Sequence, residues 1–171
     1  MQYDNTQKRE NLLILADGLS ALPADYQHFD MQDFFNPNHG KKLDEMSIEA
    51  RVAAVNKAQE IAADYARNNG GVGRCGSVAC ACGHGPVFGL RAVDADFHGD
   101  RINWFAYTYR VFICAEAHDT FEWMFGGAWH GVDNTHHGAA KRIRYYLANG
   151  VPEDFEPGDS EEAMLALYEG Y

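Results

Sequence analysis

The sequence predicts a mainly α fold, a single compact domain of five to seven helices with room for a small β-hairpin near 87–113. Three observations carry that expectation. Apolar residues recur at three- and four-residue intervals in several separate stretches, and capping and stopping residues bracket those stretches. Third, 171 residues with 46% hydrophobic and 13% aromatic side chains suit one core. A chain of this size hides about 70% of its surface on folding, so no staples are needed.

Each element follows in order. Leu12, Leu13, Leu15, Ala16 and Leu19, then Leu22 before Pro23, describe an amphipathic helix over 5–22 that proline ends. Residues 23–46 mix Pro23, Pro37 and Gly40 with Phe29, Met31, Phe34 and Phe35, a turn-rich segment with four anchors for the core. Ser47 caps a strong pattern reaching Arg67, in which Ile48, Val52, Val55, Ile61, Ala62 and Tyr65 share a face. Gly70, Gly71 and Gly73 end it. A second cap, Ser77, opens Val78 to Cys82, a small-residue helix expected at the buried centre. Residues 87–101 lead through Asp94, Asp96, Gly99 and Asp100 to the surface. Over 102–113, helical spacing of Ile102, Phe105, Tyr109 and Phe112 competes with strand-like alternation of Phe105, Tyr107, Tyr109, Val111 and Ile113; helix is favoured. Phe121, Phe125, Ala128 and Trp129 predict a helix over 120–130, weakened by Gly126 and Gly127. Asp133, Asn134 and Thr135 offer caps for a helix with Ala139, Ala140, Ile143, Leu147 and Ala148 inside, stopped by Gly150 and Pro152. A short acidic helix over 160–170 closes a segment, 153–171, distinct from the helical domain over 1–152.

Lys and Arg total 14 against 25 Asp and Glu, a net charge of −11. Residues 150–171 hold seven acids and no base, so the acidity is concentrated in the tail. That sign disfavours direct binding to nucleic acid and leaves the tail as either a solvated end or a docking surface for a basic partner. No apolar run approaches the ~18 residues of a membrane span, and the first ten residues lack the layout of a secretion signal, so a cytoplasmic protein is expected. Cysteines 75, 80, 82 and 114 then stay reduced and act mainly as small buried hydrophobes.

Several patterns bear on chemistry. Gly71, Gly73 and Gly76 match G-x-G-x-x-G, but they follow a helix instead of a strand, which argues against a dinucleotide fold. What survives is an anion site made by Arg74 and the amides of Gly76 and Ser77 at a helix start. Cys80 and His84, four apart, form half of a zinc spacing that His118, His130, His136 or His137 would complete, with Glu116, Asp119 or Asp133 as carboxylates. Lys141, Arg142 and Arg144 are the dense basic cluster. A pocket combining such an arginine with Trp104, Trp123 or Trp129 would hold a nucleotide by stacking and ion pairing. His84 and Thr135 complete the set of candidate ligand-binding residues. No cofactor and no catalytic residue is assigned.

His28 to Met31, Cys75 to Pro86 (CGSVACACGHGP), Trp123-x-Phe125-x-x-x-Trp129 and Asp133-Asn134-Thr135-x-x-Gly138-Ala139-Ala140-x-Arg142-Ile143 occur in that order. This pattern, over residues 12–152, resembles small uncharacterised proteins of bacteria and their phages. The resemblance implies a phage or mobile-element accessory factor, non-enzymatic, that antagonises a host defence system by sequestering a nucleotide signal or blocking a host defence protein. A zinc-dependent hydrolase is the alternative, and a homo-oligomeric assembly component is a third.

Overall fold

Asp4 starts the first helix by accepting a hydrogen bond from the Gln7 amide at 2.8 Å, and α1 (Asn5–Ser20) follows. In this computed structural model, residues 3–32, 34, 36–38, 42–68, 79–113, 117–156 and 161–169 are described. The buried face of α1 is Lys8, Asn11, Leu12, Leu15, Ala16 and Leu19, a stripe at three- and four-residue spacing. Its two polar members are not misplaced. Lys8 Nζ donates to the Ile113 carbonyl at 2.6 Å and Asn11 Nδ2 to that of Val111 at 2.9 Å, satisfying acceptors at the end of a helix downstream.

The mainly helical expectation holds. After α1 come α2 (Ile48–Asn68), α3 (Trp104–Val111), α4 (Ala117–Phe125), α5 (Trp129–Val132), α6 (His136–Asn149) and α7 (Glu161–Glu169). A small antiparallel hairpin pairs β1 (Phe97–His98) with β2 (Arg101–Ile102), in the register Phe97 opposite Ile102 and His98 opposite Arg101. The ambiguity over 102–113 therefore resolves into two elements, a strand ending at Ile102 and a helix starting at Trp104. Asn103 separates them, accepting from the Ala106 amide at 3.0 Å as the cap of α3. Thr135 caps α6 as expected, through the Gly138 amide at 2.9 Å, and Gly150 ends it.

Helix α6 lies along α1, with α4 against its other side and α7 against α5. Within this shell, Trp123, Trp129, Tyr107, Phe112, Ile143 and Leu15 are fully buried. Phe155 and Met164 join the same core, with Phe155 edge-on to Trp123 at 5.3 Å, so the acidic end is anchored to the domain by apolar side chains.

Four expectations need correction. The segment after Ser77 is not an α-helix in its described part: Ala79 forms a parallel bridge with Phe29, and a 3-10 turn runs from Cys82 to Phe88. Close packing explains it. A Cβ on Gly83 would meet the Phe34 carbonyl and one on Gly85 the Tyr107 hydroxyl, so the backbone presses against neighbours that a regular helix would not reach. The segment is nevertheless the buried centre, as the small residues suggested. Helix 120–130 breaks at Gly126 and Gly127 into α4 and α5, which leaves Ala128 exposed while the Trp129 indole donates to the Glu122 carbonyl at 3.1 Å. Along α2, Ala62 and Tyr65 are buried but Ile48, Val52, Val55 and Ile61 are exposed, because packing covers only the last two turns. Finally, Asp96 does not lead outward. It is buried, and it accepts both nitrogens of a bidentate Arg110 contact at 2.7 and 2.5 Å.

Candidate ligand-binding cleft

The hairpin is short, and two strands of two residues cannot hold themselves. Asp96 supplies the anchor. Its carboxylate accepts from the Val93 amide at 2.8 Å and from Arg110 on α3, while its carbonyl accepts from the Asn103 amide at 2.7 Å. Burial alone works against a charge on Arg110, but the hydrogen bonds and charge of Asp96 outweigh it and raise the guanidinium pKa. On the opposite side, Arg67 at the end of α2 lies 3.6 Å over the Phe97 ring, and the Ala66 carbonyl accepts from the Ala92 amide at 2.8 Å. The hairpin is thus pinned between α2 and α3.

This pinning creates a cleft of about 340 Å³. Val55, Ala58, Gln59 and Ala62 of α2 form one wall, Arg101, Ile102 and Trp104 the other, and Asn36, Pro37 and Asn38 the end. Trp104 is half-buried, its ring parallel to Phe34 within 4° at a centroid distance of 6.2 Å, which holds the indole in one orientation. Arg101 is exposed, and its side chain makes no ion pair or hydrogen bond among the described residues. A flat aromatic, amide groups and an uncommitted guanidinium around a concavity of this size are what a small planar anion requires.

A second polar region lies where three sequence motifs meet. The backbone of His28 and Asp30 brackets Ala79, the Met31 amide donates to Asn134 Oδ1 at 2.7 Å, and Asp30 faces His130 Nδ1 at 3.1 Å. His84 sits beneath, fully buried. Its Nδ1 faces the Cys80 carbonyl at 2.8 Å, so that nitrogen carries the proton, and Nε2 accepts from the Tyr26 hydroxyl at 3.1 Å. Burial lowers the His84 pKa from 6.5 to about 4, assisted by the nearby His136 and His28, and burial also raises that of Tyr26. Both ring nitrogens of His84 are thereby committed to holding the segment in place. His136 likewise ties α6 to the end of α1, facing the Leu19 and Pro23 carbonyls at 2.9 and 3.0 Å.

The candidate residues do not share one site. Trp104 lines the cleft. Trp123, Trp129 and Arg142 are indeed together, with the Arg142 guanidinium 4.3 Å over the Trp129 ring, but all three are buried in the core. His84 is interior, and Thr135 caps α6 beside a small cavity of about 130 Å³ shared with Tyr26, His136 and His137. Arg74, Gly76 and Ser77 lie outside the described residues. Within the basic cluster, Arg144 pairs with Asp17 at 2.8 Å and donates to Ser20. For the zinc spacing, Cys80 faces Cys82, and among the described residues no three His, Cys, Asp or Glu side chains converge as a metal site. No described helix is long and apolar enough to cross a membrane.

Arg101, Asn36 and Gln59 carried no sequence signal of their own. The hint available was a Gly-Asp turn followed by a cation and, three residues on, a tryptophan.

No family model matches the chain, and no solved structure matches it. Among curated proteins, a tRNA pseudouridine synthase B of Mesoplasma florum is 34% identical over 68 residues. That stretch is 40% of this chain and 23% of that protein, so the chain spans about a quarter of the relative's length.

Proposed function

We propose that this chain is a non-enzymatic binding protein that sequesters a small nucleotide in the cleft between α2 and the hairpin. One observation carries the reading: Trp104, stacked with Phe34, stands at a cavity of about 340 Å³ together with Arg101, whose side chain has no partner among the described residues. The indole supplies a stacking face, Arg101 a phosphate contact, and the Gln59 side-chain amide hydrogen bonds to a base edge. In the setting that the motif resemblance implies, the ligand is a signal of a host defence system and the protein acts by withdrawing it. The short likeness to a tRNA pseudouridine synthase covers too little of that protein to bring its activity here.

Titration calorimetry with AMP and UMP tests this. One ligand should bind per chain, and Arg101→Gln and Trp104→Leu should each weaken binding about tenfold, or 1.4 kcal/mol. Absence of binding at millimolar ligand, or affinity indifferent to both substitutions, refutes the reading.

The blocking of a host protein is the second reading, favoured by Ile48, Val52 and Val55, which stand 77%, 53% and 40% exposed on one face of α2. On that reading Val52→Asp abolishes complex formation with the host protein and leaves AMP affinity unchanged.

A further inference from the structure

We propose that Cys80 and Cys82 form a reversible dithiol–disulfide centre, oxidised by small organic hydroperoxides that enter through an aromatic-lined cavity separate from the nucleotide cleft. The two Sγ atoms lie 3.3 Å apart and both thiols are free. Ala81 between them has φ −52° and ψ −54°, a helical turn that brings the flanking Cα atoms within the roughly 4.4–6.8 Å that a disulfide spans. Closing the bond has to bring the two sulfurs about 1.3 Å nearer to each other.

The scaffold holds the pair at that spacing from both sides. Ala79 is fixed by its bridge to Phe29, the Cys80 carbonyl by His84 Nδ1, and the Gly83 carbonyl by the Tyr65 hydroxyl at 2.6 Å.

Access is unequal, and the inequality assigns the roles. Cys80 forms part of the lining of a cavity of about 230 Å³ whose walls include Met31, Phe34, Phe105, Phe121 and Phe125. Cys82 is not part of that lining; both residues are buried, Cys80 at 2% exposure and Cys82 at none. Burial pushes the Cys82 thiol well above its usual range, with Cys80 adding to the effect, so Cys82 waits as the neutral partner. The walls are mostly apolar, with Gln32 and Glu122 as polar members, a combination that admits an uncharged hydroperoxide and opposes an anionic disulfide such as oxidised glutathione.

The chemistry balances as follows. The Cys80 sulfur attacks the peroxide as its proton passes to the departing oxygen, the O–O bond breaks, and the alcohol leaves, which makes Cys80 a sulfenic acid. Cys82 sulfur then displaces the hydroxyl as water and the S–S bond forms. Two thiols and one hydroperoxide give one disulfide, one alcohol and one water, with two electrons passing from sulfur to peroxide oxygen.

The test is cumene hydroperoxide on the folded chain, with intact mass and peptide mapping. Mapping the unaltered chain should place a bond between Cys80 and Cys82. In a Cys75→Ala, Cys114→Ala background the mass should fall by about 2 Da, reversibly with dithiothreitol. Adding Cys82→Ser should instead leave a sulfenic acid on Cys80, a gain of about 16 Da trapped by dimedone. Phe121→Trp, which narrows the cavity, should slow oxidation about tenfold. Oxidised glutathione should react more slowly than the hydroperoxide. The proposal is overturned if no bond joins these two cysteines in the folded chain while the same thiols oxidise in urea. It is equally overturned if Cys82 is the first to be trapped, if narrowing the cavity leaves the rate unchanged, or if oxidised glutathione reacts as fast as the hydroperoxide.

Discussion

Helices α1 and α2 carry comparable apolar patterns and meet opposite fates. The inner stripe of α1 is buried along its length, including a lysine and an asparagine, whereas α2 buries only Ala62, Ala63, Tyr65 and Ala66 near its end. Periodicity specifies that a helix has an apolar face; it does not specify that anything covers it. Coverage depends on what the rest of the chain brings. Helix α1 receives α6, α3 and the 3-10 turn, while α2 receives the hairpin and that turn at one end only. The uncovered part of α2 then becomes available as a wall for the cleft and as a surface for a partner.

Equilibrium urea unfolding sharpens the contrast. The largest effect is expected at Leu15→Ala on α1, which leaves a cavity where the side chain is fully buried and should cost about 3–4 kcal/mol. A loss under about 1 kcal/mol there would mean that the α1 interface is loosely packed. On the hairpin side, Asp96→Ala strands Arg110 beside a vacated site and should cost about 3 kcal/mol. Because Asp96 also positions the turn before Trp104, AMP affinity should fall with it; stability lost without affinity would separate the hairpin from the cleft.

Acid provides an intermediate effect at the turn beneath α1. His84 titrates near 6.5 in the unfolded chain and at about 4 in the fold, so between these values only the unfolded chain gains the proton. This contribution is intact above about pH 6.5 and declines as pH falls, with no further loss below about pH 4. Between pH 7 and pH 5 it amounts to about 2 kcal/mol, and His84→Gln should remove that part of the pH slope. A slope unchanged in the variant would place the proton uptake elsewhere. The smallest effect is expected at Val52→Ser on α2, within about 0.5 kcal/mol. A larger cost would show that this face is covered in solution.

Local signals were the legible ones. The helices ending at Ser20, Asn68 and Asn149 followed from periodicity and punctuation, and Thr135 and Gly150 mark α6 where their chemistry said they would. The 3-10 turn after Cys82 was not legible, because Ala-Cys-Ala-Cys is neutral about its conformation and the deciding contacts come from Phe29, Phe34 and Tyr107, far away in sequence. Asp96 read as part of a turn leading to the surface, and the burial of Lys8 and Asn11 carried no sequence signal, because their partners, at Arg110, Ile113 and Val111, are visible only in three dimensions. At the cleft, Trp104 was a candidate on its own chemistry, but an arginine partner was sought at Arg142, which the core absorbs, and not at Arg101, which a two-residue strand delivers.

The dependence of α1 on carbonyls at Val111 and Ile113, and on a helix that ends at Asn149, has a consequence for biosynthesis. Translation at about 5–20 residues per second leaves on the order of ten seconds between the emergence of Leu15 and that of its covering helix. Throughout that interval the nascent chain offers a greasy stripe to its surroundings, a target for chaperones. Assembly of the interior is a late, concerted event that awaits nearly the whole polypeptide.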